Sequence, residues 1–221
     1  MTSPGLTAQE ERQEFLYGEA GQDVPGVDPA TVLGTWRLLR SDLRRIRVVL
    51  AMPRSVAKSL FLVITPSFVA MMLHRWSHYW HLKGIPAVAW LLWALNLYIT
   101  GADITPKTRF GHSAYLPHPN GVIVAAVLGH RCTLFGRSGV GGGRGEEDVG
   151  GGPGLPLIGN DVEIGHNSSV LGSVRIGDRA TIGAHVLLMK DVSPGATVAV
   201  RLRSMVVAVR EPGDHSGRIL Q

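Results

Sequence analysis

Residues 158–188 read IGNDVEIGHNSSVLGSVRIGDRATIGAHVLL, and a single spacing runs through them. Ile158, Ile164, Val170, Ile176, Ile182 and Leu188 fall six residues apart. Four residues after each comes a smaller side chain: Val162, Ser168, Val174, Ala180 and Val186. Glycine follows the large residue at Gly159, Gly165, Gly177 and Gly183. A helix repeats every ~3.6 residues and an ordinary strand every two, so a step of six fits neither. Three hexads make one triangular coil of short parallel strands. The large aliphatic then points inward, the small residue fills beside it, and glycine permits the corner.

Working outward, Ile104, Phe110, Leu116, Val122, Leu128 and Leu134 keep the same step. Their small companions are Ala114, Ala126, Cys132 and Ser138, with glycine at Gly111 and Gly129. Leu134 and Ile158 are four hexads apart, so the two blocks stay in phase, and Val200 lies two steps beyond Leu188. Between the blocks, Gly136 to Gly154 holds ten glycines and the acidic run Glu146-Glu147-Asp148. That composition predicts a loop (136–154) thrown out from the coil. It contains no G-x-x-x-x-G-K-[ST] run, so a nucleotide P-loop is not expected.

Upstream of Thr100 the pattern is helical. Val32, Trp36, Leu39, Leu43 and Ile46 recur at helical spacing, with Arg37, Arg40, Arg44 and Arg47 between them. Two apolar stretches follow, Leu60 to Leu73 and Ile85 to Ile99. Each falls short of the ~20 apolar residues of a membrane span, and they contain Pro66 and Asn96. Buried helices of a packing domain are expected, with an interfacial contact through Trp90 and Trp93 as the alternative. The division predicted is a mobile tail over 1–29, a helical domain over 30–100, the coil over 101–205 and a tail over 206–221. The fold class is α+β: N-terminal helices followed by a parallel β-helix.

Composition narrows the function. Charged residues are 18% and apolar residues 45% of the chain, which disfavours a charged helical bundle. The formal charge of +5 comes without zinc spacing or an aromatic RNA-binding signature, so no nucleic acid is expected. A basic surface that attracts an anionic cofactor accounts for it. Cys132 is the single cysteine and cannot form an internal disulfide. The polar, acidic N-terminus does not read as a signal peptide, and a cytoplasmic location is the default. His112 and His130, one coil apart, could stack, but two imidazoles without a third ligand make an incomplete metal site, and no metal is expected. His74, His78 and His81 read as a polar helix face.

Gly101-Ala102-Asp103-Ile104-Thr105-Pro106 resembles the G-[VA]-D-I-H-P entry to the β-helix of serine O-acetyltransferases. Leu116-Pro117-His118-Pro119-Asn120-Gly121 is similar to that family's L-D-H-A-T-G segment. The resemblance runs from about Leu60 to about Val200. It implies a left-handed β-helix, a homotrimer or dimer of trimers, and acetyl-CoA bound between neighbouring subunits. It also implies His118 as general base on an acceptor hydroxyl, Asp103 as its orienting partner, and Gly183, Ala184, Lys190 and Arg201 beside the cofactor. Chemistry asks for such a pair independently. A hydroxyl is too weak an acid to attack a thioester unaided at neutral pH, and an imidazole can take the proton as the bond forms. A carboxylate on the other ring nitrogen fixes the tautomer and stabilises the imidazolium.

The chain departs from the family pattern at four places. Leu155 stands where an R-H-P segment has its His, and Pro117 where an Asp precedes the base. The G-E-T stretch is shortened to Ala125-Ala126, and V-x-G-x-P-A becomes Val198-Ala199-Val200-Arg201-Leu202. Most of the missing groups recognise an α-amino acid, so the reaction type is retained better than the acceptor. Members that dock into cysteine synthase end in Ile, whereas this chain ends in Gln221, which argues against that partner. The expected function is acetyl-CoA-dependent O-acetylation of serine or a close relative. A sugar or other biosynthetic hydroxyl as acceptor, and a non-catalytic β-helix scaffold, stay open.

Overall fold

A computed structural model of the protein describes residues 27–53, 56–143 and 147–200. Most of the expected N-terminal tail, the C-terminal tail, Arg201 and Gln221 lie outside the described residues. Four helices come first: α1 (Val32–Val49), α2 (Val56–Val63), α3 (Pro66–Leu82) and α4 (Pro86–Thr100). Thr31 caps α1 by accepting from Gly34 N, and Thr65 caps α3 by accepting from Phe68 N, with Pro66 at the first helical position. Gly101 ends α4 in the left-handed region at φ 74°. Leu39 and Ile46 of α1 pack with Leu62, Phe68 and Tyr115 in a small core of their own.

From Asp103 onward the chain visits three parallel sheets in rotation. The first contains β1 (Asp103–Ile104), β3 (Ile123–Val124), β6 (Gly139–Gly141), β9 (Ser169–Leu171) and β12 (Leu187–Leu188). The second contains β2 (Arg109–Phe110), β4 (Val127–Leu128), β7 (Leu157–Ile158) and β10 (Arg175–Ile176). The third contains β5 (Thr133–Leu134), β8 (Glu163–Ile164), β11 (Thr181–Ile182) and β13 (Thr197–Val198), and Tyr115 bridges to Thr133 at its head. Ile104, Leu116, Leu134, Ile164, Val170 and Ile182 are buried in one continuous core. Each such side chain contributes about 1.5–3 kcal/mol on burial. Ala70 and Met71 of α3 belong to the same core, so the helices plug the open end of the coil.

Three details differ from the sequence reading. The inward residue of β3 is Val124, paired with Ile104, whereas Val122 occupies the small-residue slot. Two residues are added between β1 and β3, and two are lost between β3 and β4, so the errors cancel and the period survives around them. Gly139–Gly141 forms β6 between β3 and β9, so the ladder continues through Val140 into the glycine-rich segment. The excursion begins only after Gly141. At the far end, Val192 and Val198 carry the core onward, while Val200 is 50% exposed.

The glycines also have a different cause from the one expected. The left-handed corner residues are Ser113, Arg131, Asp161 and Arg179 at one corner and Arg137, Asn167 and His185 at another, all at φ 56–60°. The glycine after each ladder residue instead marks close approach between coils. A Cβ at Gly165 would lie 2.6 Å from the nitrogen of Ala184, and one at Gly111 2.6 Å from the carbonyl carbon of Gly129.

Helices and coil are tied by a buried ion pair. Arg75 of α3 donates Nε to Asp42 Oδ2 (3.0 Å) and Nη2 to Asp42 Oδ1 (3.1 Å), and also donates to the carbonyls of Phe110 (2.7 Å) and Gly111 (2.6 Å). Asp42 Oδ1 accepts Ala114 N at 2.9 Å, and Ser41 Oγ accepts Ser113 N at 2.9 Å. Burial pushes the Asp42 carboxyl up from its ordinary value, while the Arg75 guanidinium and the Ala114 N–H pull it back, and among the described residues its hydrogen-bond partners are all donors. His74 and His78 are buried beside this clamp rather than forming a polar face. Burial holds the imidazole of His74 well below its ordinary value, and His78 and Arg75 add to the effect.

Two outcomes follow for stability. Gly165→Ala, which forces backbone apart, should lower the unfolding free energy by about 1–3 kcal/mol. Gly141→Ala, with nothing within 4 Å of the added carbon, should be close to neutral in the same urea titration. Because the His74 value is depressed on folding, the unfolded chain binds the proton more readily. Stability is therefore complete above about pH 6.5 and falls below it, by up to about 1.4 kcal/mol per pH unit for this group. His74→Phe, placed against Phe110, should flatten that slope; an unchanged slope would reject the assignment.

Candidate active site

The segment Leu116–Gly121 carries the chain from the end of the first coil to the start of the second. It is stacked between two glycines that leave it room. A Cβ at Gly136 would lie 2.9 Å from the carbonyl oxygen and 3.1 Å from the Cβ of His118, and one at Gly101 would lie 3.2 Å from Asn120 Cα. Gly121 N donates to Gly101 O (2.8 Å), Asp103 N to Val122 O (2.8 Å), and Arg137 N to Asn120 O (3.1 Å). Pro119 is buried and His118 is exposed, so the turn is anchored next to an imidazole that faces solvent.

The same bonds set Asp103, at the head of β1, beside Val122, while His118 lies in the turn that leads into β3. No hydrogen bond joins the two side chains among the described residues. The Asp103 carboxylate is half-buried, and its Oδ1 accepts the indole N–H of Trp93 at 2.7 Å. Sequence reasoning treated Trp93 only as a candidate interfacial residue. The signal that could have found it is weak: an indole ten residues before Asp103, across a helix end whose geometry no periodicity reports.

The other expected site residues lie along the later coils. Ala184 and Lys190 are exposed, with the apolar Leu187 and Met189 (67% and 63% exposed) between them. The Gly183 N–H donates to Val198 O (2.7 Å), and its carbonyl accepts Ser168 Oγ (2.6 Å). Arg201 is outside the described residues. His185, beside Ala184, pairs with Asn167 at 3.0 Å.

Several candidate groups prove structural. His112 and His130 stack with ring centres 4.2 Å apart, and His130 Nδ1 accepts His112 N at 3.1 Å. The pattern continues down the corner: Asn160 Oδ1 accepts His130 N, and Asp178 Oδ1 accepts Asn160 N. This is a polar ladder that satisfies the backbone at each turn. Arg131 and Asp161 form a bidentate pair one step along the same corner. Cys132 lies in the core, and burial pushes its thiol up to about 12, so it offers no nucleophile at neutral pH. Among the described residues no helix is long and apolar enough to cross a membrane.

Three parallel sheets visited in rotation on a six-residue step define a hexapeptide-repeat architecture. A family described as bacterial transferase hexapeptide (six repeats) matches residues 156–190. Serine acetyltransferase of Helicobacter pylori is 30% identical over 154 residues, covering 68% of this chain and 87% of that protein. Serine acetyltransferase of Synechococcus elongatus is 33% identical over 162 residues, covering 70% of this chain; the match spans 64% of that protein's length. The crystal structure of Neisseria gonorrhoeae serine acetyltransferase in complex with serine superposes with a TM-score of 0.66 at 32% identity, over 77% of this chain and 68% of that one. The chain belongs to the serine acetyltransferase family.

Proposed function

We propose that the protein transfers the acetyl group of acetyl-CoA to the hydroxyl of L-serine or a closely related acceptor, with His118 as general base and Asp103 as its orienting partner. The observation that carries this reading is the corner where an exposed imidazole sits on a turn bonded, through Gly101 and Val122, to the strand that begins with a half-buried carboxylate. A ring nitrogen of His118 takes the acceptor proton as its oxygen bonds to the thioester carbon. The resulting tetrahedral species then collapses, the carbon–sulfur bond breaks, and the proton passes from His118 to the leaving thiolate.

Acetyl-CoA would lie along the exposed strip of Ala184, Leu187, Met189 and Lys190, where apolar side chains can pack against the methylenes of its arm and the Lys190 ammonium can meet its phosphates. Gly183 would contribute close approach, with its N–H already committed to Val198 O. We infer also that the coil winds left-handed and that the protein assembles as a trimer, as the family resemblance implies.

A second reading changes the acceptor. Pro117 offers no carboxylate where the family pattern has the Asp that binds the amino-acid acceptor, and Leu155 stands in place of its second His. Loss of such a partner costs a buried ammonium several kcal/mol of affinity. The test is release of free CoA from acetyl-CoA with L-serine, L-homoserine and a set of sugars. Release with serine supports the first reading, and release with another hydroxyl compound alone supports the second. His118→Ala should lower kcat by about 10²–10⁴ with whichever acceptor works. No release with any acceptor would remove the enzymatic reading in favour of a scaffold.

A further inference from the structure

Trp93 is the residue that the proposed chemistry does not yet use. Ala89, Trp93, Asn96 and Thr100 form one stripe of α4, at helical spacing. Two of them fix that stripe to α3: Ser77 Oγ donates to Ala89 O (2.7 Å), and Asn96 Nδ2 donates to Ala70 O (3.0 Å). Thr100 Oγ1 donates to Asn96 Oδ1 (2.8 Å) and accepts Ala102 N (3.3 Å), so the same network sets the residue before Asp103. Trp93 lies between the two ties, and its ring meets Trp90 edge-on with centres 5.1 Å apart. The indole is thus held on a rigid frame, and its one polar atom is spent on Asp103 Oδ1 at 2.7 Å.

We propose that Trp93 is a positioning residue: its indole N–H clamps Oδ1 of Asp103 and leaves Oδ2 as the oxygen for the imidazole of His118. A carboxylate turns easily about its last side-chain bond, where the torsional preference is broad. A short, charge-assisted bond to one oxygen removes that freedom before substrate arrives. The helical region then does more than plug the coil, because it sets the orientation of a group in the active site. This rests on the reading of Asp103 and His118 given above.

Trp93→Phe keeps the ring and deletes the donor. With acetyl-CoA and the acceptor that supports turnover in the wild type, kcat should fall about 10- to 100-fold while KM for acetyl-CoA stays within about two-fold. In an Asp103→Asn background the same substitution should cause no further fall, because its effect passes through the carboxylate. A Trp93→Phe enzyme with wild-type kcat, or losses that multiply independently in the double variant, would overturn the inference and leave the proposed function standing. A wild-type protein that releases no CoA with any hydroxyl acceptor would overturn both. Should the Phe variant fail to fold, a ¹⁵N-tryptophan-labelled Asp103→Asn protein answers in its place. One of the five indole N–H signals should move upfield relative to wild type, and five unmoved signals would overturn the contact.

Discussion

Successive turns of this coil are joined by backbone hydrogen bonds from one rung to the next, and parallel strands in such a ladder lie about 4.8 Å apart. At that separation a corner has room for backbone and little else. The result is a division of labour among corner residues. Gly111, Gly129 and Gly165 are glycines because a Cβ would strike the next coil, while the left-handed conformation falls to Ser113, Arg131, Asp161, Arg179, Arg137, Asn167 and His185, and to glycine at Gly121 and Gly195. A few isolated left-handed residues are costly, and they persist here because stacked bonds such as Asp161 N to His130 O fix them from both sides. The turn that carries His118 obeys the same constraint. Gly101 and Gly136 flank it, where an added Cβ would come within 3.2 Å and 2.9 Å of the turn, although it carries two extra residues.

A coil of this kind has an open first rung, and the helices close it by two different means. Ala70 and Met71 supply apolar surface to the interior. Arg75 and Asp42 supply a buried polar clamp on the corner from Phe110 to Ala114. Removing one member of such a clamp leaves an uncompensated charge, typically at about 3–5 kcal/mol, so the two regions stand or fall together. Through α4 the coupling reaches the chemistry, because the bonds that seat Asn96 and Ala89 on α3 also determine where the Trp93 indole meets Asp103. The position of the Asp103 carboxylate is thus set partly outside the coil.

The step of six was legible because each inward residue is large and aliphatic whatever the coil does locally. The same regularity concealed the irregular turn: two added residues near Asn120 and two missing near Ala125 restore the phase, and Val122 is apolar enough to pass for the ladder residue that is in fact Val124. Strand β6 escaped notice because Gly139 and Gly141 flank a single Val140, and glycine content outweighed one valine. The arginines of α1 read as a basic surface, yet Arg45 is buried and donates to Thr133 Oγ1 at 2.7 Å. Periodicity reports which face a side chain takes, but not which carbonyl or hydroxyl waits there. A motif is what singles out Asp103 and His118, whereas the Trp93–Asp103 bond and the Asp42–Arg75 clamp depend on long-range geometry that no local pattern encodes.

The central claim is that a hydroxyl is activated at the corner shared by His118 and Asp103. A crystal structure of the protein with CoA and L-serine tests it most directly. The account predicts the serine hydroxyl within about 2.6–3.2 Å of one ring nitrogen of His118, with the other ring nitrogen on the Asp103 carboxylate. Serine seated away from this corner, with the His118 and Asp103 side chains apart and CoA elsewhere than the strip from Ala184 to Lys190, would contradict it.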